Sequence, residues 1–318
     1  MRPLRIAYAG TPEFAVPALR AIMTSEHHLL AVLTQPDRKS GRGRKISESA
    51  VKQSITSSNV RIFQPENVND NESISILKEL NLDLLIVAAY GQLFSQELLN
   101  LPKLGCINIH ASLLPRWRGA SPIQHAILSG DNASGVSIMQ MQRAMDAGDI
   151  WLQSACEITH DDTSQTLHDK LASLGGRHIL EAIDLVANGK NQPKEQDPTK
   201  ATYCSKLKKS DGLIEWSESA PQILRQVRAF HPWPGAYTHF NGRRIRLTKA
   251  LLSNSSAQGS LPGSVIEISK SGITVSTGEK SLVICELIPE GGKCVSASDF
   301  SNSNALENQV FGDSINHV

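Results

Sequence analysis

Residues 82–89, Leu-Asp-Leu-Leu-Ile-Val-Ala-Ala, form a short, almost continuously apolar run that Tyr90-Gly91-Gln92 closes. Such a run is typical of a strand in a parallel sheet covered by helices on both faces. The chain begins in a compatible way, with an apolar strand at 4–9, a turn at Gly10-Thr11-Pro12 and a helix at 13–25. Strand, glycine turn and helix open a βαβ unit. We therefore predict an α/β N-terminal part with a Rossmann-like, doubly wound, mostly parallel sheet.

The rest of the N-terminal part continues this alternation. Further strands are predicted at 29–34, 60–64, 106–109, 135–141 and 150–158, and helices at 71–80, 121–128 and 163–187. The last helix carries one apolar stripe, which predicts a packing role: Leu167, Leu171, Leu174, Ile179, Ile183 and Val186. The first turn lacks Gly-x-Gly-x-x-Gly, so a bound dinucleotide is not indicated.

The composition changes after Asn188, where lysines, prolines and glycine replace the apolar periodicity. We predict an N-terminal domain at 1–189, a basic linker at 190–210, a second domain at 211–312 and a tail at 313–318. The second domain has one helix at about 219–230 and five short strands separated by glycine-containing turns. This pattern predicts a small, OB-like antiparallel β-barrel.

The composition of the 318 residues limits the class of protein. The net charge is +1, so an anionic partner has to meet a local basic patch. The five cysteines are odd in number and include no Cys-x-x-Cys, which argues against a disulfide framework and against a zinc site. No run approaches the length of a membrane span. These features predict a protein of the reducing cytoplasm with no membrane partner.

The stretch Gly105–Gly119 carries polar side chains where a strand ends and a loop begins. Alternation places Asn108 and His110 on the same side of the strand. Its carboxyl end is where open α/β sheets bind ligands. The pair alone is equally compatible with a polar sheet edge that bonds to loop backbone. Asp146, in the loop 143–149, is by itself compatible with a turn-forming aspartate.

A second polar segment leaves the carboxyl end of the strand at 29–34. Residues 35–45 contain five cations, two glycines and a proline, so we predict an exposed loop. A solvated loop is the default interpretation of such a run. Its place on the ligand side of the sheet favours contact with an anion.

Six segments together resemble the folate-dependent formyltransferases: Gly10-Thr-Pro-Glu-Phe14, Val87-Ala-Ala-Tyr-Gly91, Asn108-Ile-His110, Ser112-Leu-Leu-Pro115, Arg118-Gly-Ala-Ser-Pro122 and Met145-Asp-Ala-Gly-Asp149. The segment Trp233-Pro-Gly-Ala236 and the barrel pattern narrow the resemblance to the methionyl-tRNA formyltransferases. The similarity covers nearly the whole chain, with the segments in the family's order.

The resemblance implies a reaction and a set of site residues. The formyl group of 10-formyltetrahydrofolate would move to the amino group of methionine on initiator methionyl-tRNA. Asn108, His110 and Asp146 would be the catalytic residues, and Arg42 would contact the aminoacyl end. The residues expected to line the folate site are Val87, Ala89, Tyr90, Gly91, Ser112, Leu113, Leu114 and Pro115. Lys206, Lys208 and Lys209 of the basic linker are expected to bind tRNA.

The chemistry of formyl transfer suits these residue types. The reaction passes through a tetrahedral centre, whose oxyanion needs hydrogen-bond donors, and it needs a group that exchanges protons near neutral pH. An amide and an imidazole meet these needs without a metal and without a protein nucleophile. Cys106 shares the side of Asn108, and we interpret it as buried filler rather than a reactive thiol.

We expect the protein to be a monomer.

Other formyl-folate enzymes remain alternatives because they would share the same three residues. They include sugar-nucleotide formyltransferases, a formyl-folate hydrolase and a glycinamide ribonucleotide formyltransferase, of which the last is disfavoured by the second domain. A non-catalytic RNA-binding protein is disfavoured because it would not need the three residues.

Overall fold

The computed structural model of the chain describes residues 2–40, 45–189, 192–253, 255 and 259–312. The chain forms two compact units. The first contains Met1–Pro122, Ala133–Glu157 and His168–Cys204, and the second contains Ile123–Asn132, Ile158–Leu167 and Ser205–Val318. The predicted domain boundaries at 189 and 211 stay predictions.

The chain up to Cys204 forms eleven described strands and six described α-helices. The strands are β1 Arg5–Gly10, β2 His28–Leu33, β3 Arg38–Ser40, β4 Lys45–Ser47, β5 Arg61–Phe63, β6 Leu84–Ala88, β7 Cys106–His110, β8 Arg118–Gly119, β9 Ala133–Gln140, β10 Ile150–Glu157 and β11 Tyr203–Cys204. The helices are α1 Val16–Met23, α2 Ala50–Ile55, α3 Asn71–Glu79, α4 Gln96–Leu99, α5 Pro122–Leu128 and α6 Ser164–Asn188.

Seven of these strands form the main sheet, in the order β10-β9-β7-β6-β1-β2-β5. The five strands from β7 to β5 are parallel to one another. Strand β9 is antiparallel to β7, and β10 is antiparallel to β9. The mostly parallel sheet predicted from the sequence is thus confirmed. Every residue of Leu84–Ala88 is buried, as expected for a strand covered on both faces. The stripe on α6 is also buried along its whole length, which confirms its packing role.

The second unit contains an all-antiparallel sheet. Its strands are β12 Tyr237–Phe240, β13 Arg243–Ser253, β14 Val265–Ser269, β15 Gly272–Ser276, β16 Ser281–Pro289 and β17 Val295–Ser296, and its further helices are α7 Ala220–Ala229 and α8 Ala297–Asn302. The order is β12-β13-β16-β15-β14, and β17 pairs with β16. Within the described residues no ladder joins β12 to β14, so closure into a barrel stays a prediction.

Several helices begin where short polar side chains replace missing backbone partners. Each of these residues accepts a hydrogen bond from the N–H three positions later, which satisfies a donor that the first turn leaves unpaired. They are Ser49, Asp70, Ser95, Ser219 and Ser296.

Two segments that were predicted from composition as a loop and a linker contain short strands in the structure. The prediction of a loop throughout residues 35–45 was wrong in part, because β3 pairs antiparallel with β4. Backbone pairing leaves no compositional signal in so short and charged a segment. The predicted linker also contains regular structure, since β11 pairs in parallel with β8.

A buried carboxylate anchors the amino end of β1. Asp83 accepts hydrogen bonds from the N–H of Arg5 at 2.9 Å and from Lys103 Nζ at 3.0 Å, and Arg2 Nη2 lies at 3.3 Å. Burial raises the pKa of Asp83, but these contacts outweigh burial and hold the pKa below its ordinary value.

We expect Asp83→Asn to destabilise the protein by about 1–3 kcal/mol at pH 7 because it removes charge-assisted hydrogen bonds. Since the folded-state pKa is lowered, this stability is fully present above the unfolded pKa of about 3.9 and is lost as the pH falls through the folded pKa. Urea midpoints of the wild type and the variant should therefore differ at pH 7 and converge in acid. Asp161→Asn, at an exposed site, is the control. A constant difference at all pH values would contradict the assignment.

Candidate active site

The candidate site lies at the carboxyl ends of the central strands of the first unit. In the register of β6 and β7, Val87 pairs with Asn108. On the other side of β7, His110 pairs with Ser137 of β9. Asn108 and His110 are two positions apart on one strand, so their side chains leave the same face. The sequence-predicted pair is therefore placed at the edge of the sheet where α/β proteins bind ligands.

The ring of His110 is buried and held by backbone. Its Nε2 lies 2.9 Å from the carbonyl oxygen of Trp117. A carbonyl only accepts hydrogen bonds, so Nε2 carries a proton. In the neutral ring the lone pair is then on Nδ1, which lies 3.8 Å from Oδ2 of Asp146. The contact leaves Nδ1 as the nitrogen that can take up a proton.

Asp146 is fixed through both its carboxylate and its backbone. Oδ2 accepts a hydrogen bond from the N–H of Gly119 at 2.8 Å. The backbone oxygen of Asp146 accepts another from Nε2 of Gln196, also at 2.8 Å. The structure thus brings His110 and Asp146 together, although they are distant in sequence.

The turn at Ser112–Pro115 is pinned to β9 and β10. Ser137 Oγ donates to the carbonyl of Ser112 at 2.6 Å and accepts from the N–H of Leu114 at 3.0 Å. Gln153 Nε2 donates to the carbonyl of Leu114 at 2.8 Å. Ser112 Oγ in turn donates to the carbonyl of Arg116. These hydrogen bonds therefore hold the turn, which also contains Leu113 and Pro115, in one position close to His110 in the chain.

The strand end after β6 combines buried and exposed groups. Val87 and Tyr90 belong to a buried apolar cluster that also contains Phe94, whereas Ala89 and Gly91 are exposed. The Tyr90 hydroxyl is buried and has no hydrogen-bond partner within the described residues. Burial raises the pKa of Tyr90 to about 12, so the hydroxyl is neutral and can donate.

Left-handed backbone is concentrated at this edge. Ala89, Trp117 and Asp146 have φ values of 47°, 61° and 49°. Such angles are uncommon outside glycine and asparagine, and strained residues cluster at functional sites because the surrounding structure has to hold them. Here the strain presents the Trp117 carbonyl to His110 and the Asp146 carboxylate to Gly119.

Comparison with known proteins identifies the family. A family model described as formyl transferase matches residues 4–183, and one described as formyl transferase, C-terminal domain, matches residues 206–305. The chain belongs to the formyl transferase family. A methionyl-tRNA formyltransferase from Hydrogenovibrio crunogenus is 43% identical over 311 residues, which cover 98% of this chain and 99% of that protein.

Solved structures share the fold of this formyl transferase family member at low sequence identity. HypX from Aquifex aeolicus matches with a TM-score of 0.65 at 15% identity, over 96% of this chain, which spans about half of HypX (50%). An N-formyltransferase from Helicobacter canadensis, solved with folinic acid and dTDP-3-aminofucose, matches with a TM-score of 0.65 at 18% identity, over 88% of this chain and 98% of that one.

Some site features of this formyl transferase could not be found from residue types. Trp117 contributes a backbone carbonyl and Gly119 a backbone N–H, and neither group depends on the side chain. Gln196 lies in the predicted linker, where composition indicated only a connection. The sole signal was the quoted motif Arg118–Pro122, which contains Gly119 and directly follows Trp117.

Cys106 behaves as the filler that the sequence predicted. It is completely buried, and its Sγ lies 3.8 Å from the carbonyls of Leu98 and Leu99. Burial raises the pKa of its thiol to about 12, so the nucleophilic thiolate does not form near neutral pH.

The residues expected to bind tRNA fall into two groups. Arg42 lies outside the described residues. Lys206, Lys208 and Lys209 are exposed in the second unit, on either side of the buried Leu207.

The described part of the chain contains no group of three or more His, Cys, Asp or Glu side chains placed to hold a metal ion. No described helix has the length and apolarity needed to cross a membrane.

An ion-pair network holds the base of the β3–β4 pair. Lys52 Nζ on α2 contacts Asp37 Oδ2 at 2.6 Å, before β3, and Glu48 Oε1 at 3.2 Å, after β4. Gln64 Nε2 donates to the other oxygen of Asp37 at 2.7 Å. The hydrogen bonds from Lys52 and Gln64 lower the pKa of Asp37, and the hydrogen bond to Asp37 raises the pKa of Lys52. Lys52 therefore forms ion pairs with residues on both sides of the β3–β4 pair.

Proposed function

We propose that this formyl transferase moves the formyl group of 10-formyltetrahydrofolate to the amino group of methionine on initiator methionyl-tRNA, in translation initiation. The observation that carries the proposal is the 43% identity to a methionyl-tRNA formyltransferase over 98% of this chain. The similarity extends over the second unit as well as the first.

The reaction joins the methionine amino nitrogen to the formyl carbon and breaks the bond from that carbon to the folate nitrogen. Attack by the amine places negative charge on the formyl oxygen. The Asn108 side chain is half-buried and makes no hydrogen bond within the described residues, so its N–H donors are available to this oxygen. Donors aimed at a developing oxyanion are usually the largest electrostatic contribution to such catalysis.

His110 moves the protons. Its Nε2–H is engaged by the Trp117 carbonyl, so Nδ1 accepts the proton that the attacking amine loses. The Asp146 carboxylate near Nδ1 stabilises the imidazolium that results. The same proton then passes to the departing folate nitrogen, which returns His110 to its neutral form.

The folate co-substrate would lie along the carboxyl edge of β6 and β7. Val87, Ala89, Tyr90 and Gly91 would form one side, and the pinned turn Ser112, Leu113, Leu114 and Pro115 the other. The unpartnered hydroxyl of Tyr90 fits a ligand that brings a polar atom to a buried apolar cluster. This chemistry supports a heteroaromatic ring with polar edges.

The tRNA would be held by cations. Arg42 would meet the aminoacyl end, and Lys206, Lys208 and Lys209 would contact phosphates, with binding that weakens as salt is raised. We further propose that the protein acts as a monomer in the cytoplasm.

Lys52→Met should weaken use of charged tRNA because it releases the base of the segment that carries Arg42. We expect the KM for charged tRNA to rise by about two- to fivefold, with little change in the KM for formyl-folate. Lys78→Met is the matched control, since it removes an equally short but exposed ion pair with Glu97. Equal effects of the two variants on the KM for charged tRNA would refute the positioning role of Lys52.

The proposed function is tested by incorporation of label from formyl-folate into charged initiator methionyl-tRNA, with free methionine and uncharged tRNA as controls. We expect label on the charged tRNA alone. Consumption of formyl-folate without labelled tRNA would overturn the proposal in favour of a hydrolase or a transferase for a small acceptor.

A further inference from the structure

Gln196 is a buried polar residue in an exposed segment. Its side chain is 5% exposed, whereas its neighbours Glu195 and Asp197 are exposed. A buried glutamine has to satisfy a carboxamide with both donors and an acceptor. The contacts of Gln196 therefore indicate what this part of the chain does.

The carboxamide of Gln196 joins two elements of the candidate site. Its Nε2 donates to the backbone oxygens of Asp146, at 2.8 Å, and Gly148, at 2.7 Å. Its Oε1 accepts from Nε of Arg118 at 3.0 Å and from Nη2 at 2.7 Å. Both polar ends of the side chain are thus used, one on the Asp146 loop and one on β8.

Arg118 is an unusual partner for an amide. It is only 6% exposed, and within the described residues Gln196 is the only hydrogen-bond partner of its guanidinium. A buried guanidinium is normally paired with a carboxylate. Here the cation polarises the Gln196 carboxamide, which strengthens the hydrogen bonds that the opposite end donates.

The Asp146 loop depends on such external support. Residues 142–145 are exposed, and Asp146 itself adopts a left-handed backbone. Apolar packing therefore does little to hold this part of the loop, and the two bonds from Gln196 fix the backbone on either side of Ala147. Movement of this backbone would carry the carboxylate away from both Gly119 and His110.

We propose that Gln196, polarised by Arg118, is a positioning residue that orients the carboxylate of Asp146 toward His110. This inference rests on the catalytic role of Asp146 in the proposed function. It gives a residue of the predicted linker, which lies within the first unit, a part in the chemistry of that unit.

Two substitutions separate the contributions of the carboxamide. Gln196→Met keeps much of the volume and removes the bonds on both sides. Gln196→Glu keeps an oxygen for Arg118 but places a second oxygen against the two backbone carbonyls. The second variant keeps the buried cation paired, so it carries the test if the first one fails to fold. Gln192→Met, at an exposed position of the same segment, is the matched control.

Rate and amide exchange are measured together on the full chain. We expect both Gln196 variants to lose about 10- to 100-fold in kcat, with KM values for formyl-folate and charged tRNA within about twofold of wild type. The N–H of Gly119 reports the carboxylate position without any substrate because it bonds to Asp146 Oδ2. Its hydrogen exchange should accelerate by about tenfold or more in both variants and stay unchanged in Gln192→Met.

The outcomes distinguish this inference from the proposed function. Unchanged kcat, or a lower kcat with unchanged exchange at Gly119, would overturn the positioning role. Asp146→Asn is assayed alongside. Full activity of that variant would overturn the catalytic role of Asp146, whereas its inactivation together with fully active Gln196 variants would overturn the positioning role alone.

Discussion

Replacing His110 with alanine is expected to lower kcat for formyl transfer by about 100- to 10,000-fold, the range contributed by a well-placed acid–base group. The expectation follows from the geometry of the ring. Trp117 holds Nε2–H, which leaves Nδ1 as the nitrogen that exchanges protons, and Asp146 lies beside it. Without the ring, the attacking amine loses the group that takes its proton in the proposed mechanism.

The test is single-turnover transfer to charged tRNA, with folding checked by urea midpoint. His160→Ala is the matched control because this histidine is 89% exposed. A variant that keeps its full rate at neutral pH would remove His110 from the mechanism.

The main sheet could be predicted from the sequence because its central strand is an uninterrupted run of apolar residues. Residues 84–88 are apolar without interruption, and both faces of that strand are buried. Asn108 and His110 could be placed on one face by alternation alone, because strand geometry has a period of two. The resemblance supplied Asp146, which local sequence could not separate from an ordinary turn residue.

The contacts that hold His110 and Asp146 in place could not be predicted from the sequence, for a physical reason. Gln196 meets Arg118 and Asp146 across separations of 78 and 50 residues, which only the folded chain brings together. The Trp117 carbonyl and the Gly119 N–H are backbone groups that every non-proline residue possesses, so no residue type marks them. Likewise, the β3–β4 pair lies in a charged segment whose composition predicts a loop.

The pairing of β8 with β11 constrains the residue at position 119. Gly119 has φ of +121°, and a Cβ at this position would lie 2.3 Å from the backbone oxygen of Cys204. Only glycine allows β8 and β11 to approach this closely. The N–H of the same glycine donates to Asp146 Oδ2, so one residue contacts both β11 and the carboxylate.

Asn108→Ala is expected to lower kcat by about 100- to 1,000-fold, the usual cost of removing one donor to a developing oxyanion. Because the Asn108 side chain has no hydrogen-bond partner within the described residues, its loss leaves no protein group unpaired, and the urea midpoint should hardly change. Asn108→Asp should be at least as damaging, since a carboxylate of similar size puts negative charge where negative charge develops. Asn132→Ala, at an exposed position, controls for the loss of an amide. A rate loss matched by an equal loss of stability would instead assign Asn108 to the scaffold, while a loss in kcat at constant stability and near-constant KM assigns it to the transition state.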